Sequence, residues 1–367
     1  MANNRDSLEA RLGELRAAID RTDDDILARL NHRARLVGEV ADLKTALEVP
    51  FYVPSRERQI ADRLSATNPG PFPTEAIRSV FQEIFSACLT LERRVRVAYL
   101  GPEGTFSQMA VKQQFGLAAR ATPIGSIPGV FEEVERGNAD FGVVPVENTT
   151  EGGIIHTFDT FLDSDLKISA EIAVQIHMCL LARTGVELSD IERVYSLPVA
   201  AGQCRRWLAS NLPRATVVDS RSTADGARLA HDDARGAAVA AEIAARLYDL
   251  TVLRRNIEDS SHNMTRFLVV GREQAEPTGR DKTSMLLVTR DEPGILYRVL
   301  GALAERGLNM TKIESRPSRR RPWEYVFFVD VDGHQRDAVV AAALAEVAKS
   351  CESFKVLGSY PRAEAIA

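Results

Sequence analysis

The sequence predicts a multidomain chain of three fold classes in series: all-α helices over residues 1–93, a two-lobed α/β domain over 95–272, and an α+β ferredoxin-like module over 282–362. Three observations carry this. At 367 residues the chain exceeds one typical core. At Val95-Arg96-Val97-Ala98-Tyr99-Leu100 a helical period gives way to a strand entering a Gly-rich turn, and strands and helices then alternate to about Gly271. Beyond Asp281 the pattern reads strand, helix, strand, strand, helix, strand, which is the ferredoxin-like order.

From Asp6 to Leu47 there is no Pro, and apolar residues recur at Leu8, Leu12, Leu15, Ile19, Ile26, Leu30, Val37 and Val40. That spacing predicts one helix about 60 Å long at 1.5 Å per residue. It is too long to bury its apolar stripe within ninety residues, so a partner chain is expected to cover it. Pro50 and Pro54 end it, and two shorter helices are expected at Ser55–Ala66 and Thr74–Glu92, around the Asn68-Pro69-Gly70-Pro71-Phe72-Pro73 loop.

In the middle region, Ala139–Pro145 reads as a strand and Gly152–Leu162 as a helix, while Ile172–Leu181 is placed to cross between two lobes. Gly236–Leu250 reads as Ala-rich helix, and the chain returns through Thr251-Val252-Leu253 to a strand around Thr265-Arg266-Phe267. A linker, Glu273–Asp281, follows. The last module is expected as strand Thr283–Thr289, helix Ile295–Arg306, strand Asn309–Ser315, a hairpin, strand Trp323–Val331, helix Gln335–Lys349 and strand Ser353–Leu357.

Composition is that of an ordinary soluble chain, 45% hydrophobic and 26% charged. A net charge of -5 gives no general attraction to nucleic acid or a membrane surface, so anionic substrates must be caught by local Arg and Lys. The cluster Arg319-Arg320-Arg321 lacks interleaved aromatics and reads as a solvated hairpin loop. Cys88, Cys179, Cys204 and Cys351 lie far apart with no metal-ligand spacing, so reduced thiols and no metal are expected. No apolar leader or bilayer-length run is present in the sequence, and a cytoplasmic protein is the expectation.

Arg33 and Lys44 are eleven residues apart, about 20° from eclipsed on a helix and roughly 16 Å apart along it, so two long side chains can close on one small anion. Alone, such a pair is usually a solvated face. Its neighbours reverse that: Leu15-Arg16-Ala17-Ala18-Ile19-Asp20, Asp23, Arg33, Lys44 and Arg56-Glu57 together are similar to the all-helical, AroQ-type chorismate mutase family. The resemblance implies that Arg16, Arg33 and Arg56 grip a dicarboxylate, one arginine being donated by the other subunit, with Glu57 a further substrate contact and Lys44 on the ether oxygen. Cys88 and Glu92 fall where the family supplies further contacts, and a Glu donates to that oxygen only when protonated. Val53 stands where a related enzyme carries a polar residue. The rearrangement is pericyclic, so preorganised positive charge is the main device.

Gly101-Pro102-Glu103-Gly104-Thr105-Phe106-Ser107, Pro145-Val146-Glu147-Asn148-Thr149-Thr150-Glu151-Gly152-Gly153 and Asn263-Met264-Thr265-Arg266-Phe267 look like the prephenate dehydratase family, whose two-lobed domain is similar to periplasmic binding proteins. The resemblance assigns catalytic roles to Thr265, Asn148, Ser196 and Gln203, with Arg266, Thr149 and Thr150 as carboxylate contacts. Thr265 is better placed as a polarising donor than as a base. Leu197 and Val199 stand where the family usually has His and Gln, and Met178 where a second His is common.

Pro293-Gly294-Ile295-Leu296 and Glu314-Ser315-Arg316-Pro317 resemble the paired motifs of the amino-acid-binding ACT domain, usually with Ala at the place of Ile295. There the motifs bind L-phenylalanine across a dimer interface, which puts Gly294, Ile295, Leu296, Asn309, Glu314, Ser315 and Arg316 at an effector site. The three resemblances in this order are those of a bifunctional chorismate mutase/prephenate dehydratase family. They imply a homodimer or higher assembly acting on chorismate and prephenate without metal or organic cofactor, under feedback by L-phenylalanine. Two other readings stay open: a mutase with an impaired dehydratase, motivated by Leu197 and Val199, and a non-catalytic amino-acid sensor.

Overall fold

The computed structural model describes residues 2–47, 49, 51–52, 54–289, 292–317 and 324–363, with side chains from Asp6 onward. Val53, Arg319-Arg320-Arg321 and the expected strand start at Trp323 lie outside the described residues.

The helical part is α1 (Ala2–Leu47), α2 (Pro54–Ala66) and α3 (Thr74–Glu92). One long helix and the two expected shorter ones are thus present. The apolar stripe of α1 stands open: Leu8 is 64% exposed, Ile19 59% and Ile26 52%. The domain joins the next one through Tyr52, whose ring lies 5.4 Å from both Phe115 and Phe141.

The first lobe of the middle domain comprises β1 (Arg96–Leu100), α4 (Phe106–Phe115), β2 (Arg120–Ile124), α5 (Ile127–Glu135), β3 (Phe141–Asn148), β4 (Gly152–Gly153), α6 (Ile155–Asp163) and β5 (Lys167–Gln175). The second comprises β6 (Cys179–Ala182), β7 (Arg193–Ser196), α7 (Pro198–Gln203), α8 (Arg205–Asn211), β8 (Thr216–Asp219), α9 (Thr223–Asp232), β9 (Gly236–Ala240), α10 (Glu242–Leu247) and β10 (Thr251–Arg254). The chain then re-enters the first lobe as β11 (Met264–Gly271). The first sheet runs β2-β1-β3-β11-β5 and the second β10-β6-β9-β7-β8. Only residues 176–178 and 255–263 pass between the two sheets, as a hinged cleft requires.

Two expectations change. Gly236–Ala240 is a strand rather than the start of an Ala-rich helix, because all five residues are buried at the centre of the second sheet, where small side chains let layers close on both faces. Gly152–Gly153 pairs with Glu147 and Asn148 instead of opening α6, which begins at Ile155.

The last module is β12 (Asp281–Thr289), α11 (Ile295–Ala304), β13 (Met310–Pro317), β14 (Tyr325–Asp332), α12 (Ala338–Lys349) and β15 (Cys351–Pro361), in a sheet of order β13-β14-β12-β15. This is the expected ferredoxin-like arrangement. It shares one core with the first lobe: Phe158 and Phe161 of α6 meet Phe328 of β14 at ring distances of 4.8 and 6.4 Å. Each such buried ring contributes about 1.5–3 kcal/mol. Gly358 of β15 lies so close to β5 that a Cβ there would sit 2.3 Å from the Ile168 carbonyl oxygen, so the close sheet contact requires glycine. Among the described residues no helix is long and apolar enough to cross a membrane.

Candidate active and effector sites

Within the helical domain, α1 brings Arg33 and Lys44 against α3. Lys44 Nζ donates to the Phe51 carbonyl at 2.7 Å and lies 3.7 Å from Glu92 Oε2, and the Arg33 guanidinium stands 5.0 Å over the Phe85 ring. Phe85, Cys88 and Glu92 fall three and four residues apart, on one face of α3. Arg33 Nη1 and Glu92 Oε2 are buried with no hydrogen-bond partner. The two groups stand beside Phe85 and at Glu92, about two turns apart along α3, so a ligand lying between them would satisfy both, since orphaned buried groups cost about 1–3 kcal/mol each.

Glu57, on α2, faces the same site. Desolvation pushes its carboxyl up to about 8, although Gln82 and Tyr52 hydrogen-bond to it and Arg33 and Lys44 stand near. Gln82 and Tyr52 were not anticipated, because nothing in their spacing singles them out. Since the folded value lies above the ordinary 4.5, this group's stabilising contribution is complete below about pH 4.5 and is lost as pH rises through 8. Glu57→Gln should therefore show a flatter melting temperature than wild type between pH 6 and 9 in thermal scans; parallel slopes would show that Glu57 ionises normally.

Arg16 and Arg56 are exposed. Arg16 is seventeen residues before Arg33 on the same helix, about 25 Å away along its axis, so it does not reach this site within one chain.

In the two-lobed domain, β3 and β11 pair with Asn148 opposite Thr265. Asn148 Oδ1 accepts from the Thr150 and Glu151 amides at 2.9 and 3.1 Å, which fixes the orientation of the side-chain amide. Its Nδ2 is thereby aimed at Thr265 Oγ1 at 2.8 Å and at Asn263 Oδ1 at 2.9 Å. Asn263 Nδ2 in turn donates to Gln203 Oε1 at 2.8 Å, from the residue just before β11 to the end of α7 in the second lobe. Thr265–Asn148–Asn263–Gln203 is one hydrogen-bonded chain across the cleft. Asn263 had not been assigned a role, although its place two residues before Thr265 puts both on one face of an extended segment.

Thr149 accepts from the Met264 amide at 2.9 Å and donates to the His262 carbonyl at 3.0 Å, so it braces the loop. Thr150 lies beside Asn263, its hydroxyl 3.4 Å from Oδ1. Ser196 is fully buried at the end of β7 and donates to the Leu197 carbonyl at 3.0 Å, with no hydrogen bond to this chain among the described residues. Of the three departures, Met178 is core, Leu197 caps α7 and Val199 is 44% exposed.

Arg266 is not brought to the Thr265 face. Consecutive strand residues point to opposite sides. Arg266 lies beneath the sheet, with Nε 2.7 Å from Glu171, Nη1 2.7 Å from Asp330 and Nη2 donating to the Tyr360 hydroxyl at 2.9 Å. Burial raises the Glu171 carboxyl, but Arg266 and Lys282 beside it outweigh that and hold it below its ordinary value.

In the last module, Gly294 has φ +75°, the left-handed turn that glycine favours, and leads into α11 with Ile295 and Leu296 half-buried. The Ser315–Arg316 end of β13 lies at the same end of the sheet as the end of β12 that leads toward Gly294, with β14 between the two strands. Ser315 faces outward, whereas Glu314 and Arg316 turn toward the dehydration-motif domain, Arg316 Nη2 being 3.8 Å from Asp159. Asn309 sits at the other end of β13, about 20 Å from Ser315, with its amide donating to Asp332 at 2.9 Å. Within one chain it is not brought to Gly294.

The chain matches three family models in order: chorismate mutase type II over residues 15–93, prephenate dehydratase over 97–275 and the ACT domain over 283–349. It is 47% identical over 356 residues to a bifunctional chorismate mutase/prephenate dehydratase of Aquifex aeolicus, covering 96% of this chain and 98% of that one. A Pseudomonas aeruginosa protein of the same description is 42% identical over 357 residues, again covering 96% and 98%. Among solved structures, a prephenate dehydratase from Arthrobacter aurescens in complex with L-Phe aligns with TM-score 0.69 and 40% identity, over 73% of this chain and 90% of that one.

Proposed function

The chain belongs to the bifunctional chorismate mutase/prephenate dehydratases, and from that premise we propose how its residues divide the work among units at 1–93, 95–272 and 282–362. The enzyme rearranges chorismate to prephenate and converts prephenate to phenylpyruvate, carbon dioxide and water. For the first step, Arg33 takes a substrate carboxylate with its unspent Nη1, and Lys44 meets the ether oxygen as that oxygen gains electron density. A protonated Glu57 leaves Arg33 and Lys44 free to serve a dicarboxylate instead of an internal carboxylate. Cys88 packs against the substrate beside Glu92.

For the second step, Asn148 fills an acceptor position on Thr265 Oγ1, so the Thr265 hydroxyl proton is directed to the departing hydroxyl of prephenate. Gln203 and Asn263 hold that arrangement from the opposite lobe. The third unit senses L-phenylalanine, as the ligand of the Arthrobacter aurescens structure suggests. Two chains pair, each covering the other's open α1 stripe and lending Arg16 to its site. Separation of the effector residues Gly294 and Asn309 within one chain also suits a site shared by two. Four free, buried cysteines suit a reducing cytoplasm.

The observation that carries the reading is the Thr265–Asn148–Asn263–Gln203 chain between the two lobes, downstream of a helical cation pair in which Arg33 Nη1 is unspent. It is tested by giving the purified protein chorismate and following prephenate and phenylpyruvate with and without L-phenylalanine. Phenylpyruvate that falls on adding phenylalanine is expected; accumulating prephenate would favour the impaired-dehydratase reading. Sedimentation of Ile19→Asp should give monomers with mutase activity lost, where wild type gives dimers or larger.

A further inference from the structure

We propose that Glu147 and Arg266 are positioning residues through which the regulatory sheet holds the catalytic pair Asn148 and Thr265 from behind, so that effector binding reaches the dehydratase site across one residue of each strand. The inference rests on the reading of the last unit as a phenylalanine sensor.

The register carries it. In the β3–β11 ladder Thr265 pairs with Asn148 and Arg266 with Glu147, in adjacent positions. By strand alternation the first pair faces the cleft and the second faces the regulatory module. Each member of the second pair is held there by an opposite charge from that module. Lys312 Nζ of β13 lies 3.1 Å from Glu147 Oε2, and Asp330 Oδ2 of β14 lies 2.7 Å from Arg266 Nη1. Lys312 and Asp330 are nearly or wholly buried, with side-chain exposures of 9% and 0%.

The same strand of the sensor carries the effector motif. Lys312 Nζ is 3.7 Å from Glu314 Oε2, and a Cβ at Gly153, which pairs with Glu147, would lie 3.1 Å from that carboxylate. A shift of β13 on binding effector therefore presses on Glu147 and the loop after Asn148. The β3–β11 ladder is also interrupted immediately beyond Arg266, where the register shifts between Arg266 and Phe267, so on that side the Thr265–Asn148 and Arg266–Glu147 pairs are set off from the rest of the ladder, while the pairing of β11 with β5 runs on unbroken there. Misplacing a reacting group by about 1 Å costs on the order of 10²-fold in rate, so a small displacement suffices for inhibition.

Lys312→Met keeps the length and stem of the side chain and removes its charge, while Glu147, which retains access to water, is not left stranded. At saturating phenylalanine this variant is expected to keep at least about five-fold more residual dehydratase activity than wild type, with calorimetric phenylalanine binding retained and mutase rate unchanged. Glu147→Gln should do the same, and the double variant should add nothing further, because both remove one contact. Residual activity equal to wild type in both variants, or additive effects, would overturn the inference. If Lys312→Met does not fold, by mutase rate and melting temperature, Glu147→Gln alone decides. A wild type that phenylalanine neither binds nor inhibits would overturn the reading of the sensor unit and this inference with it, an outcome distinguishable from wild-type inhibition that the variants leave intact.

Discussion

Thr265→Ala should lower the rate of phenylpyruvate formation from prephenate by about 10²–10³-fold while chorismate consumption stays within about two-fold of wild type. The size follows from the geometry. Asn148 Nδ2 and Thr265 Oγ1 are 2.8 Å apart with the Asn148 amide oriented by two backbone donors, so the hydroxyl proton of Thr265 is turned away from Asn148 and is free to be donated to a substrate. Alanine removes the donor and leaves Asn148 Nδ2 with Asn263 and the Met264 carbonyl, so no buried charge is stranded and folding should survive. Thr265→Ser, which keeps the hydroxyl, should recover most of the rate. Stopped assays of both products separate the outcomes: loss of both activities together would contradict independent sites, and a modest loss of dehydration alone would make Thr265 a structural residue.

Lys44→Met should cut mutase kcat/KM by a similar or larger factor, about 10²–10⁴-fold, with dehydration of added prephenate unaffected. Lys44 is three-quarters buried and lies between the Phe51 carbonyl and Glu92. In such a site a cation acts on developing charge with little solvent to dilute it. The methionine occupies the same volume, so packing of α1 on α3 is retained and the change isolates the charge. Lys44→Arg should restore only part of the rate, because a planar guanidinium does not replace a point ammonium at one oxygen. A Lys44→Met enzyme that rearranges chorismate at the wild-type rate would move catalysis away from this pair.

Where periodicity was strong, the fold could be read from the chain. Thr74–Glu92 is the helix expected, and the regulatory module has the expected element order. The Gly236–Ala240 segment misled because alanine is the best helix former, yet a short apolar run buried on both faces of a sheet carries no period to reveal it. At the sites, Thr265, Asn148 and Gln203, which the family resemblance singles out, fall in one hydrogen-bonded chain. The placement of Arg266 on the far face was implicit in strand alternation, but reading the motif as a block hid it. Asp330 and Lys312 were invisible because their partners lie more than sixty residues away in sequence, and only the shared core of the two domains brings them together. The upward shift of Glu57 likewise depends on what packs around it.

The Asn263–Gln203 hydrogen bond makes the cleft an interlocked device. The lobes cannot part far without breaking it, whereas Asn148 keeps its aim at Thr265 from the Thr150 and Glu151 amides of its own loop, so parting would free the Asn263 amide and leave that pair set. What an open cleft lacks is the second lobe's contribution, Gln203, and not the Asn148–Thr265 pair. A ligand that held the lobes apart would therefore act on this one bond, removing Gln203 from the chain while leaving both strands of the first lobe as they are.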